Sequence, residues 1–118
     1  MKCNAVFKSA LRLLKAKGIE DKFGDFIERA PYILSAMFSE AARADKNYRT
    51  ANGLENQPRF SSTHSELSED FPLCDCFSKA AAFYLAALLI IDEDVDLSDD
   101  FYEKYCDSMA AIVSSIDN

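Results

Sequence analysis

Ala80-Ala81-Ala82-Phe83-Tyr84-Leu85-Ala86-Ala87-Leu88-Leu89-Ile90-Ile91 is the stretch on which the fold of this chain turns. It is followed by an acidic elbow, Asp92-Glu93-Asp94-Val95-Asp96, and then by Phe101-Tyr102-Glu103-Lys104-Tyr105. An alanine-rich apolar helix, a short elbow and a second helix that opens with aromatics predict a helical hairpin. Its small residues allow two helices to approach closely, and its aromatics fill the mouth of the pair. The apolar run is 12 residues long. A bilayer span needs about 20, so the run reads as a core helix and no membrane partner is expected.

Working outward, the remaining residues extend the same pattern. Val6, Phe7, Ala10, Leu11, Leu13 and Leu14 form one apolar face of a first helix over residues 3–16, with Lys8, Arg12 and Lys15 largely opposite. Gly18 is its natural stop. Lys8, Arg12, Lys15 and Lys17 interrupt this segment too often for a secretion signal, so a cytosolic protein with reduced thiols is expected. A second helix begins near Asp21 or Asp25, where Asp25 and Glu28 have capping-box spacing, and runs to about Tyr48. Pro31 predicts a kink or a delayed start within it. The third helix covers about Leu73 to Ile91. The fourth starts after Asp96 or Ser98 and ends near Ile116, with Phe101, Tyr105, Met109, Ile112 and Ile116 along one side.

Residues 50–72 differ in kind. Asn52, Gly53, Asn56, Pro58, Ser61, Ser62, Thr63, Ser65, Ser68 and Pro72 make them a long polar loop, expected to be mobile. The 118 residues therefore predict one all-α domain. It is a small bundle of about four helices, with the long loop between helices 2 and 3 and a helical hairpin at the C-terminal side. Only 3 Gly and 3 Pro argue against a turn-rich β architecture.

Net charge is −7, unevenly spread. Residues 1–60 hold 11 bases against 7 acids, net +4, and residues 61–118 hold 2 against 13, net −11, which together give −7. Such a dipolar chain favours contact between the basic half of one copy and the acidic half of the next, or neutralises the split within itself. It does not suit a nucleic-acid clamp, and its bases are not interleaved with aromatics as a single-strand reader requires.

Several groupings imitate chemical sites. Counting Asp92 as one, Asp94, Asp96, Asp100 and Glu103 fall at positions three, five, nine and twelve of a calcium loop. Leu97 stands where that loop needs glycine, and helix-start signals account for the same acids, so no metal is expected. Cys74 and Cys76 are one residue apart, too close for ordinary zinc spacing, and with Cys3 and Cys106 they read as small core thiols. His64 has no placed partner, no glycine-rich phosphate loop is present, and the paired carboxylates Glu69-Asp70 and Asp99-Asp100 lack an apolar setting. Neither catalysis nor a cofactor is expected.

Three places give the chain a resemblance to the head-to-tail connector (head-completion or adaptor) proteins of tailed bacteriophages and prophages. They are Arg29-Ala30-Pro31-Tyr32-Ile33-Leu34 entering a long amphipathic run, the approach Ser65-Glu66-Leu67-Ser68-Glu69-Asp70-Phe71-Pro72-Leu73, and the hairpin from Ala80 through Tyr105. The resemblance implies a non-catalytic virion-assembly subunit. Copies would self-associate into a ring between portal and tail proteins, in the bacterial cytoplasm during assembly and at the virion neck afterwards. It also implies that residues 50–72 act as an arm reaching a neighbour, with Arg59, Phe60, His64, Leu67 and Phe71 as its assembly residues. Deleting residues 52–66 should then spare the fold and abolish assembly. A second reading is a cytosolic helical adaptor or regulator that binds one partner through an apolar groove.

Overall fold

A computed structural model describes residues 1–117, and side-chain surroundings through Ile116. Four helices follow one another: α1 (Cys3–Lys15), α2 (Asp25–Ala51), α3 (Ser78–Leu89) and α4 (Val95–Asp117), with one 3-10 turn, Asp75–Phe77, leading into α3. Among the described residues there is no strand, only an isolated antiparallel bridge between Lys2 and Asp70. The all-α bundle is as expected from the hydrophobic period.

α3 is the axis. Ala80, Ala81, Ala82, Tyr84, Leu85, Ala86, Ala87 and Leu89 are all buried, because small and apolar residues on every side let three helices close around one. α1, α2 and α4 each pack on it. The helices alternate in direction. Arg29, near the start of α2, donates from Nη2 to the Leu88 carbonyl at 2.9 Å and from Nη1 to the Leu89 carbonyl at 3.0 Å. Its guanidinium thus satisfies carbonyls that the end of α3 leaves open. At the other end Tyr48 of α2 meets Phe77 edge-on, 6.1 Å between centroids. Ser98 of α4 donates to the Ala87 carbonyl at 2.8 Å, closing the α3–α4 hairpin.

Local chemistry sets the helix ends, and it differs in places from expectation. Gly18, at φ 80°, ends the turn after α1 as read. α2 is capped from upstream rather than by an Asp25–Glu28 box. Asp21 accepts the Phe26 amide at 3.0 Å and the Ile27 amide at 3.2 Å, across a left-handed Gly24. α2 then runs unbroken through Pro31 for 27 residues, about 40 Å at 1.5 Å per residue, which accounts for the 43 Å long dimension. The cap of α4 is Asp94, whose carboxylate accepts the Leu97 amide at 3.0 Å, in place of Asp96 or Ser98.

The largest correction concerns the polar loop. Residues 52–74 are not a free arm but a strap that fills the gap between α1 and α2, which scarcely touch each other. The strap climbs α2 and comes back along the start of α1. Gln57 donates to the Ala42 carbonyl at 3.0 Å, and the Ser65 amide donates to the Pro31 carbonyl at 3.0 Å. On the return, Cys3 and Asn4 amides donate to the Glu69 and Leu67 carbonyls, and the Phe71 amide donates to the Met1 carbonyl. Phe38 of α2 receives Phe60 and Phe71 edge-on at 5.8 and 5.4 Å. The strap is thus a wall of the core.

Candidate docking slot

α1 and α4 flank α3 without closing over it. Near its start Lys79 is exposed and Phe83 half-buried, and both line a slot of about 360 Å³. Ala5, Ser9, Arg12 and Leu13 of α1 form one wall, and Ser78, Ala82 and Phe83 form the floor. On the α4 side Phe101 stacks on Phe83, with centroids 6.4 Å apart and planes 25° apart. The slot lies between α1 and the first half of α3. Its surface is mainly apolar, so water in it is poorly bound and readily displaced.

Cations rim it. The Lys79 and Lys104 Nζ atoms each lie 5.9 Å from the Phe83 centroid, and Lys104 lies 5.9 Å from that of Phe101. These two lysines are the only Lys or Arg in residues 61–118. Among the described residues neither they nor Arg12 form an ion pair within 4 Å. Arg12 and Lys79 thus put positive charge beside an apolar floor, with cation–π attraction to the Phe83 ring available to Lys79, while Lys104 also shares a neighbouring hollow with Asp100, Glu103 and Asp107.

The far end of the bundle has the opposite character. The Asp21 cap and Gly24 hold a short loop that projects Phe23 into solvent, 89% exposed. Glu20, Asp21, Asp25 and Glu93, with the single base Lys22, share a hollow with it. Ile27, Ile91 and Val95 are also exposed at this end.

Two polar groups organise the body. Asp45 is fully buried and accepts from the Cys74 amide at 2.8 Å, from Gln57 at 2.8 Å and from Arg49 Nε at 2.8 Å. Burial alone would raise its carboxyl, but those three bonds outweigh burial and hold it below the ordinary carboxylate range. Arg49 in turn donates to the Glu55 and Pro72 carbonyls, so one ion pair ties both ends of the strap to α2. Beside α4, burial and then the Glu40 carboxylate lift the Tyr84 hydroxyl to about 12 and push Tyr105 up as well. Tyr84 and Tyr105 meet edge-on at 4.9 Å.

The residues expected to carry assembly are scattered in character. Phe71 is 8% exposed and belongs to the core. Phe60 and Leu67 pack against that core, half-buried. His64 lies edge-on to Tyr32 at 4.9 Å, with its Nδ1 3.5 Å from Glu66. Arg59 alone of the five is fully on the surface. At the elbow, Asp94 caps α4, and Asp92, Asp96, Asp100 and Glu103 do not converge with it. Among the described residues no group of three or more potential ligands is placed to hold a metal ion. Cys3 is buried, and its thiol is pushed to about 11 by burial and by Glu69 and Asp70. Cys74 is likewise raised to about 11, by burial and by its contact with Asp45. Cys76 and Cys106 are exposed, so the reading of all four as core thiols holds fully for Cys3 alone.

The sequence reading missed the slot. Its signal was present: Lys79 and Lys104 are the sole Lys or Arg in an acidic half, and Lys79 stands one turn from Phe83. No protein-family model, curated protein or solved structure matches this chain.

Proposed function

We propose that this chain is a non-catalytic assembly subunit of a tailed phage or prophage, one member of a head–tail connector ring that joins portal to tail. The observation that carries the docking role is the slot, a mainly apolar hollow between α1 and the start of α3 with Arg12 and Lys79 in its lining. An apolar hollow of this kind is stabilised when a partner side chain covers it. Apart from Met1 the slot is lined by residues of α1 and α3, so it is built on regular helices and little ordering entropy is lost on assembly. The acidic balance of the chain suits a part that surrounds passing DNA without gripping it. In this reading the protein works in the bacterial cytoplasm during assembly and then in the virion neck.

The test is co-expression with the portal and tail proteins of the same genome, followed by electron microscopy and a count of copies per complex. A portal-bound ring of many copies is expected. The same slot also supports the adaptor reading, for which one or two copies per partner would be found in place of a ring.

A further inference from the structure

We propose that the slot of one copy receives the Phe23 loop of the next, so that the chain assembles head to tail. This rests on the assembly role above and names the partner of the slot. Two independent features meet in it. Phe23 is the most exposed large apolar residue of the chain, and it is not on a floppy tip. The paired Asp21 bonds to the Phe26 and Ile27 amides and the left-handed Gly24 fix the loop that presents it. A rigid, projecting aromatic is the usual anchor of a protein interface, because it buries much area at small entropic cost. The slot offers about 360 Å³ with Phe83 at its floor, room for one aromatic ring packed edge-on or offset against another.

Charge selects the same pairing. Around the anchor four acids, Glu20, Asp21, Asp25 and Glu93, outnumber the single base Lys22, whereas the charged residues lining the slot are the bases Arg12 and Lys79, with Lys104 near Phe83 but beside Asp100, Glu103 and Asp107. Like patches on two copies repel, so an isologous dimer through either surface is disfavoured, whereas the unlike pair attracts. The two surfaces also differ in place. The loop shares its hollow with Glu93, beyond the end of α3, while the slot runs beside the start of α3, from Ser78 to Phe83. No residue of the Phe23 loop lines the slot of its own chain. A contact between two different surfaces is heterologous. It yields a ring where the rotation closes and a filament where it does not.

Cross-linking between marked copies tests this. Cys76→Ser and Cys106→Ser remove the exposed thiols. One preparation then carries Ser9→Cys in the slot wall. A second carries Lys22→Cys beside an intact Phe23, with a mass tag. The two are mixed at up to about 1 mM, where weak interfaces are occupied, and treated with a short bis-maleimide. Lys22→Cys mixed with Arg59→Cys gives the yield of random encounters. The slot pair should cross-link at least roughly tenfold above that control, and Phe23→Ala should return it to the control level. Phe23→Ala should leave the melting temperature unchanged, because the ring contributes nothing to the core. A slot-pair yield no higher than the control overturns the pairing. If portal-bound rings nevertheless form, the connector role stands and only this contact is wrong. If the slot pair cross-links but no ring forms on a portal, the contact stands and the connector role falls.

Discussion

At the scale of single residues, Asp45 matters most to the fold. It occupies a core position of α2, in register with Leu34, Phe38, Ala41 and Tyr48, where an apolar residue would be ordinary. Three donors converge on its carboxylate and none of them reaches water freely. Asp45→Ala leaves the Cys74 amide without its acceptor and takes one bond each from Arg49 and Gln57, and should cost about 2–4 kcal/mol in urea-induced unfolding. The lowered carboxyl has a further consequence. Its contribution is fully present above the ordinary Asp range near 3.9 and is lost as pH falls through the depressed folded value. Wild type should therefore lose more stability than Asp45→Asn as the pH drops below about 4. Tyr84 works at the other limit. Its raised hydroxyl favours the folded state below pH 10 or so and ceases to as pH rises through about 12. Alkaline unfolding followed by tyrosinate absorbance should show Tyr84 ionising together with loss of the fold. The Asp45 signal was legible, since an acid in an apolar stripe asks for a partner. Its partners were not, because Gln57 and Cys74 are brought to it only by the path of the strap.

At the scale of elements, the helices were legible and the strap was not. Helix existence follows from apolar spacing within one segment, which is local information. The strap has no period, and its polar composition resembles that of a free loop. What fixes it are contacts between distant residues: the Ser65 amide on Pro31, the Cys3 amide on Glu69, and two phenylalanines on Phe38. Ser35 and Ser65, both buried, share a hydrogen bond of 2.6 Å that no local pattern announces. Pro31 shows the same effect from within a helix, because its carbonyl serves the strap while the residue itself is buried. The expectation that deleting residues 52–66 would spare the fold is therefore reversed. Their deletion uncovers Phe38 and removes two of the bonds to Asp45 and Ala42. It should lower the melting temperature by more than about 10 °C or abolish cooperative unfolding, read by near-ultraviolet circular dichroism. Phe38→Ala should cost about 3–5 kcal/mol, since its ring is shared by α2 and both limbs of the strap.

At the scale of the molecule, the charge asymmetry seen along the sequence becomes a spatial arrangement of a different kind. Sequence halves suggested a basic half and an acidic half. Folding instead brings Lys79 from the acidic half and Arg12 from the basic half to one slot, with Lys104 near its Phe83. Acids from both halves gather at the opposite end, around Phe23. Neither cluster is a sequence motif, so only the bundle topology makes them visible. Association through them should weaken steeply with salt, because rim charges are screened over about 8 Å at physiological ionic strength. Sedimentation at low and high salt should show a smaller weight-average mass in the second, and Lys79→Glu with Lys104→Glu should remove the difference.

The functional proposal reaches further than any of these contacts, and the most direct measurement of it lies in the source genome. Sequencing the DNA on both sides of this reading frame should find portal and capsid genes upstream and tail genes downstream. A neighbourhood of ordinary metabolic or regulatory genes would contradict the connector role, and the slot would then be the groove of an adaptor.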